Sequence, residues 1–281
     1  MHQCNLEPGQ TGICKARKNE EGRIVCVNYG QITSMALDPI EKKPLRMFRP
    51  QSLILSVGSF GCNLSCPFCQ NHEISMASMR QTRESRALKG QVDTVYVSPK
   101  ELTQKALEYR EAGNVGVAFT YNEPLVGWEY VRDTAKRVKG AGMVNVMVTN
   151  GAASCEVQEE LLPFIDAMNI DLKAFRKATY RKLGGDLDMV REFIVRAATA
   201  CHVELTTLIV PGMNDDVKEM EEEAEWIASV EDKTGRKIPL HVTRFFPRYR
   251  MMDEQATDVR QVYRLAETAG RYLEHVFVGN C

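Results

Sequence analysis

Cys62, Cys66 and Cys69 share one short stretch, Cys62-Asn63-Leu64-Ser65-Cys66-Pro67-Phe68-Cys69. Thiolates are soft ligands suited to iron–sulfur clusters and zinc. Three of them on a short loop can all face one inorganic centre. Three ligands on a four-iron cubane leave one iron open, whereas ordinary electron-transfer clusters take four cysteines. Structural zinc favours paired CxxC knuckles, which this spacing does not match. The loop therefore points to an iron–sulfur centre with an open iron. The plainer alternative is three packed thiols, since free cysteine is among the most buried residue types.

Polar residues at the ends of predicted strands form a second set. Glu123 lies in Thr120-Tyr121-Asn122-Glu123-Pro124, Asn150 in Thr149-Asn150-Gly151, and Asp171 and Lys173 in Asp171-Leu172-Lys173. A carboxylate facing an ammonium makes a charge-assisted hydrogen bond, and an asparagine can bond a ribose or a carboxylate. Asp171 and Lys173 fall on one side of an extended chain. Each also has a structural reading: Glu123 as a carboxylate at a helix N-terminus, Asp171 and Lys173 as a surface ion pair. Val210-Pro211-Gly212-Met213-Asn214-Asp215 reads as a turn with an N-cap. His72 follows the cysteine loop and can reach a cluster or a substrate. Arg244 suits a substrate carboxylate if it points inward, and Arg248, Tyr249 and Arg250 lie near the pocket mouth. Tyr249 and Tyr121 are candidate hydrogen relays. His241 reads as structural.

The elements that position these groups alternate. Ser52 to Val57 is a continuous apolar run that fits a strand buried on both faces, and the cysteine loop follows it directly. Ser98-Pro99-Lys100-Glu101 is a capping box with proline at the first helical position. Strands are predicted over 116–120, 143–148, 167–171, 203–210, 240–246 and 275–278, with helices between them. Such alternation implies right-handed βαβ units and a parallel sheet. The expected fold is α/β, a partial (βα)6–7 TIM-like barrel over residues 51–281, in which polar strand ends converge on one pocket. Residues 1–50 read as a small β-containing extension, with 23–30 and 31–37 pairing as a hairpin. Cys4, Cys14 and Cys26 lie there at spacings that match no compact ligand loop, so a second metal site competes with spare thiols. Residues 76–97 look irregular. Their Arg80, Arg83, Arg86 and Lys89 read as a solvated loop or as a docking surface for an acidic partner.

Bulk properties exclude several classes. The 281 residues are 44% hydrophobic and 26% charged, enough for a large core. A net charge of −1 argues against a general nucleic-acid surface. No apolar run reaches membrane-spanning length, and Met1-His2-Gln3-Cys4-Asn5 carries no apolar signal region, so a cytoplasmic protein is expected. Nine cysteines, partly clustered, then suggest metal rather than disulfides.

Cys62-x3-Cys66-x-Phe68-Cys69 resembles the CxxxCxΦC signature of the radical S-adenosylmethionine (SAM) superfamily. The resemblance implies a [4Fe-4S] cluster on Cys62, Cys66 and Cys69. It implies SAM chelated to the open iron by its amino and carboxylate groups, with Phe68 near the adenine. Glu123 occupies the place of a Gly-Gly-Glu motif that binds the SAM ammonium, although the glycines are absent. Asp171-x-Lys173 is similar to SAM-contacting residues of pyruvate formate-lyase activating enzymes, and Asn150 joins this set. Pro8-Gly9-Gln10-Thr11-Gly12-Ile13-Cys14, Asp38-Pro39-Ile40-Glu41-Lys42-Lys43-Pro44-Leu45, Cys69-Gln70-Asn71 and Val242-Thr243-Arg244-Phe245-Phe246-Pro247 extend the likeness. Together they resemble the AmmeMemoRadiSam-type enzymes, often labelled pyruvate formate-lyase activating enzyme homologues, over nearly the whole chain. Members usually carry further cysteines before the position of Cys4 and often in a tail past Asn280. The implied activity is reductive cleavage of SAM to a 5′-deoxyadenosyl radical that abstracts hydrogen from an unidentified small-molecule or protein substrate. A glycyl-radical-enzyme activase is one form of it. The implied electron donor is flavodoxin or ferredoxin. The rival readings are an iron–sulfur electron-transfer or redox-sensing protein without SAM turnover, and a zinc-stabilised binding module.

Overall fold

The computed structural model describes residues 4–79 and 90–281. Arg80, Arg83, Arg86 and Lys89 lie outside the described residues. The chain opens on a hairpin of β1 (Arg17–Glu20) and β2 (Arg23–Cys26), with Arg17 opposite Cys26. The expected pairing of residues 23–30 with 31–37 is not formed. Gly30 turns the chain instead, at φ +69° and with Tyr96 packed where a Cβ would lie 2.7 Å from its ring. The short strand β3 (Gln31–Ile32) leads into β4 (Ser34–Pro39), which runs antiparallel along β5 (Leu53–Gly58) with Ser34 opposite Gly58. β4 thereby supplies partners to an edge of the first barrel strand that would otherwise remain open.

After β5 come α1 (His72–Ser75) and three two-residue strands, β6 (Ser78–Met79), β7 (Gln91–Val92) and β8 (Val95–Tyr96). β6 pairs with β7 and β8 with β3, which gives order to the described residues of a stretch expected to be irregular. Alternation then runs through α2 (Pro99–Glu108), β9 (Asn114–Phe119), α3 (Trp128–Gly140), β10 (Val144–Thr149), α4 (Cys155–Leu161) and β11 (Ala167–Asp171). It continues through α5 (Lys177–Lys182), α6 (Leu187–Ala200), β12 (His202–Ile209), α7 (Val217–Thr234), β13 (Leu240–Arg244), α8 (Val259–Ala269) and β14 (Val276–Gly279). The predicted capping box starts α2, with Glu101 N donating to Ser98 Oγ at 3.2 Å and Ser98 N to Glu101 Oε2 at 2.7 Å. The sheet order is β14-β13-β12-β11-β10-β9-β5-β4, parallel everywhere except at β4. This is the expected α/β partial barrel, with β4 and β14 as its two edges.

Strand alternation separates two apolar layers. Leu55, Val57, Val117, Phe119, Leu205, Ile209 and Val242 face the helices and form the large core. Ile54, Ala118, Val146 and Ala167 face inward and pack on Ile40 and Leu45 from the β4–β5 crossover. That crossover seals the floor of the barrel. Asn169 Nδ2 donates to Pro44 O at 2.9 Å, and the amides of Arg46 and Met47 donate to Glu204 at 2.9 and 2.8 Å. His202 and His241 meet the same carboxylate at 2.9 and 2.6 Å, the structural role expected of His241. Burial works to raise the Glu204 pKa, but the hydrogen bonds from both histidines and both amides outweigh it and hold the carboxyl down at about 2.

Glu223 on α7 is the opposite case. Burial pushes its carboxyl up to about 8, against a hydrogen bond with Thr207. Thr207 Oγ1 also lies 3.0 Å from Leu172 O. One hydroxyl proton cannot serve both, so protonated Glu223 is the natural donor to Thr207. The folded state then holds a proton that the unfolded state releases at the ordinary glutamate pKa, so stability falls as pH rises from about 4.5 to about 8. Glu223→Gln removes this slope. The variant is expected to gain about 1–3 kcal/mol over wild type at pH 8 and nearly nothing at pH 5, read by denaturant unfolding at both values. A difference independent of pH would contradict the buried proton. Among the described residues, no helix is long and apolar enough to cross a membrane.

Candidate functional site

The cysteine loop starts where β5 ends, and the main chain there is crowded. Gly61 has φ +91°, and a Cβ would fall 2.3 Å from the carbonyl oxygen of Cys14, so a larger residue would displace the N-terminal segment. Asparagines hold the loop from several sides. Asn28 Nδ2 donates to Phe60 O at 2.9 Å, and Asn122 Nδ2 reaches Phe60 O and Gly61 O at 3.1 Å each. Asn63 Nδ2 donates to Ala152 O and Asn71 Nδ2 to Tyr121 O, both at 2.7 Å. Ser65 N donates to Leu183 O at 2.9 Å. The loop is thus tied to the chain just past β9 and β10 and to the end of α5 by groups that carry no sulfur.

The thiols sit in an apolar shell. Leu64, Cys66, Phe68, Leu183, Val210 and Phe245 are buried together, with Cys62, Cys69 and Met251 packed against them. Burial pushes the Cys66 thiol up to about 11 and drives Cys62 upward as well, Glu123 adding to the latter. Ligation requires thiolates, so loading a metal releases protons here. Two donors already face Cys62 Sγ: Leu64 N at 3.4 Å and Asn150 Nδ2 at 3.7 Å. Among the described residues, no three His, Cys, Asp or Glu side chains are gathered to hold a single metal ion. A cubane makes a different demand, because each cysteine ligates its own iron. Three soft sulfurs on one loop, with N–H donors on Cys62, fit such a cluster.

Around the thiols stand the polar strand ends. Glu123, 4% exposed, receives Thr149 Oγ1 at 2.6 Å and Leu125 N at 3.0 Å on Oε1, and Asn150 N at 2.8 Å on Oε2. It caps the turn at Pro124–Gly127, so the structural reading holds. A carboxylate offers about four acceptor positions and three are filled, which leaves one open. Burial pushes the Glu123 pKa up to about 7 against those three donors. Asn150 Nδ2 also donates to Asn63 Oδ1 at 2.8 Å, which joins β10 to the cysteine loop. Lys173 Nζ lies 2.9 Å from Asp171 Oδ2 with 17% of its side chain exposed. Burial opposes its charge, but Asp171 and Cys66 outweigh burial and raise its pKa. This pair is therefore more than a solvated surface contact. The structure brings Cys62, Cys66, Cys69, Phe68, Glu123, Asn150, Asp171 and Lys173 into one connected neighbourhood.

Other candidates fall elsewhere. Arg244 donates from Nε to Thr257 O at 2.7 Å and stacks over Phe246, on the strand face it shares with the outward Val242. It does not point inward, because the period-2 alternation of β13 assigns it the helix side. Tyr121 (φ +71°) donates its hydroxyl to Asp38 Oδ2 at 2.9 Å, under Lys43, so the hydroxyl is engaged with β4. His72 stacks on Tyr249 with ring centroids 4.5 Å apart, and its Nδ1 is buried with no partner among the described residues. Asn214 binds Val210 N, Lys173 O and Leu208 O, and Asp216, one residue past the predicted turn, caps α7. Asn63, Asn71 and Asn122 stand inside the motif stretches with nothing to mark them as clamps, and Asn28, far from them in sequence, carries no signal at all.

Residues 56–227 match the radical SAM superfamily. The chain is 34% identical over 279 residues to the uncharacterized protein MJ0808 of Methanocaldococcus jannaschii, covering 99% of this chain and 78% of that protein. It is 22% identical over 211 residues to the indoleacetate decarboxylase activating enzyme of Tractidigestivibacter scatoligenes, covering 72% of this chain and 65% of that enzyme. A domain of a pyruvate-formate lyase-activating enzyme from Bacteroides vulgatus superposes with a TM-score of 0.50 at 22% identity, over 59% of this chain and 99% of that domain. The three-cysteine loop at the mouth of the partial barrel and the polar strand ends around it all lie within the matched residues. The chain belongs to the radical SAM superfamily, whose members use a [4Fe-4S] cluster and SAM.

Proposed function

We propose that this enzyme holds its cluster on Cys62, Cys66 and Cys69 and its SAM on Glu123, Asn150, Asp171 and Lys173, with Phe68 walling the pocket. When bound, cluster and SAM supply reductive carbon–sulfur cleavage and a 5′-deoxyadenosyl radical for hydrogen abstraction. The residues of the chain orient and shield. Lys173, held protonated by Asp171, offers a cation beside the thiolates. Glu123 offers its remaining acceptor position to an ammonium, and Asn150 spans the cysteine loop and the β10 end. The crossover through Pro44, Arg46 and Met47 closes the barrel floor against water. The observation that carries this reading is the chain of contacts from Glu123 through Asn150 to Cys62. An electron carrier needs no such pocket.

The substrate reading is a glycyl-radical activase type, acting on a protein loop in the cytoplasm. It is supported by the activating enzymes among the similar proteins and by a sheet whose edges β4 and β14 do not pair with each other. Anaerobic reconstitution with iron and sulfide, then SAM and dithionite, is expected to give a four-iron cluster and 5′-deoxyadenosine. Zinc in the purified protein, or SAM left intact by the reduced cluster, would falsify the reading. Adding a glycyl-radical enzyme from the same organism should then produce a glycyl radical signal in electron paramagnetic resonance. Its absence with every such partner would direct the substrate search to small molecules.

A further inference from the structure

We infer that the loop after β13, Phe246 to Met252, is the docking surface for an acidic one-electron carrier protein and the port through which the cluster is reduced. The inference rests on the function proposed above. Four observations carry it.

The first is position. Arg250 N donates to Pro67 O at 2.9 Å, and Pro67 lies between Cys66 and Cys69. Met251 packs into the apolar shell that holds Cys66 and Phe68. The loop therefore lies directly on the cysteine loop as an outer layer. Electron tunnelling weakens steeply with distance, so a carrier seated here is separated from the thiols by one layer of chain.

The second is exposed apolar surface. Phe246 is 42% exposed and Met252 60% exposed, at the two ends of one short loop. Phe and Met are enriched at the centres of protein interfaces. Met251, between them and the shell, already uses its side chain inward.

The third is charge. Arg248 and Arg250 are exposed, and among the described residues neither enters an ion pair. Arg244 lies over Phe246 and adds a third guanidinium. Asp253 and Glu254 follow Met252 and are also exposed, so the positive charge is confined to the stretch Arg248 to Arg250, whose Arg250 N is the group bonded to Pro67 O. On a chain of net charge −1, a carrier rich in carboxylates would meet attraction here rather than from the molecule as a whole.

The fourth is rigidity. Tyr249 has φ +53°, stacks on His72 at 4.5 Å and is covered by Arg250 at 5.0 Å. The three side chains form a stack from the exposed guanidinium to the helix that follows Cys69. A stacked, strained loop presents its surface in one shape, which lowers the cost of ordering on docking.

The step transfers one electron. The carrier is oxidised by one electron, the cluster is reduced by one, and no bond or proton changes hands at the interface.

The test uses reconstituted enzyme and reads the visible absorbance of the cluster as it is reduced, with no SAM present. The probes are the hydroquinone of a flavodoxin with net negative charge, and dithionite. Arg248→Glu/Arg250→Glu is expected to slow reduction by the flavodoxin at least tenfold and to leave dithionite reduction within twofold. The wild-type rate should fall with added salt, and that slope should flatten in the double variant. Phe246→Ser/Met252→Ser should raise the half-saturating flavodoxin concentration severalfold. Arg196→Glu, an exposed reversal on α6, should behave as wild type. A double variant reduced by flavodoxin within twofold of wild type would overturn the docking surface. Equal losses with both reductants would also overturn it, by assigning the loop to support of the cluster. A wild-type enzyme that assembles no cluster sinks the function proposed above and is recognised before the carrier is added.

Discussion

Cys62→Ala, Cys66→Ala and Cys69→Ala are each expected to bind less than about a tenth of the wild-type iron on reconstitution, and to form no measurable 5′-deoxyadenosine. Cys14→Ala, Cys26→Ala, Cys155→Ala and Cys201→Ala should retain wild-type iron. The contrast follows from placement. Cys201 is buried against Ala197 O at 3.5 Å, Cys155 opens α4, and Cys26 faces Asn28 at 3.0 Å. None of them shares the apolar shell of Leu64, Phe68 and Phe245 with the other thiols. The loss should not be a loss of fold. Cys66→Ala removes one sulfur from a packed shell, on the order of 1 kcal/mol. The backbone clamps from Asn28, Asn122 and Asn71 do not involve sulfur and persist. Circular dichroism and thermal melting of the iron-free variants should therefore match the iron-free wild type within a few degrees. Iron retained at wild-type level by any of the three variants would remove that cysteine from the cluster.

Fold and site were legible to different depths. The cysteine loop and the strand before it were readable because both signals are local: three thiols in eight residues, and one apolar run. The alternation after Ser98 was readable because each strand and helix carries its own period. The polar strand ends could be placed together once a barrel was inferred, since the fold fixes where strand ends meet. What failed was pairing at a distance without side-chain signature. Arg23–Tyr29 alternates and lies next to β4, which suggests a hairpin between them. The partner of β4 is β5, and the competing cause is the turn at Gly30 with Tyr96 against it, a residue 66 positions later. The floor was not legible either. Glu204 looks like one more inward polar residue of β12, and its decisive partners are the main-chain amides of Arg46 and Met47. Backbone donors leave no trace in sequence. The facing of Arg244 stays open in the sequence for a simpler reason: one register step decides which face a strand residue takes.

Glu123→Gln is expected to lower SAM cleavage on the order of 100-fold and to cost about 2–3 kcal/mol of stability, two effects with separate causes. The stability cost comes from the frame. Glu123 accepts Leu125 N, Thr149 Oγ1 and Asn150 N, so it ties the end of β9 to the end of β10. A glutamine keeps one acceptor oxygen and turns an amide N–H toward one of these donors, leaving a buried donor without a partner. The activity cost comes from charge, because an amide lacks the negative charge that holds an ammonium. Thr149→Val separates the two. It removes one donor to Oε1 and leaves the carboxylate in place, with Asn150 N still on Oε2. It should cost about 1 kcal/mol in denaturant unfolding yet leave the dissociation constant for SAM on the reconstituted enzyme within about threefold. Glu123→Gln should weaken SAM far more than its loss of stability accounts for. If the two variants weaken SAM in proportion to their unfolding costs, Glu123 acts only as the knot between β9 and β10. The ammonium must then be held by another carboxylate, and Asp171, electrostatically coupled to Glu123 and paired with Lys173, is the next group to replace.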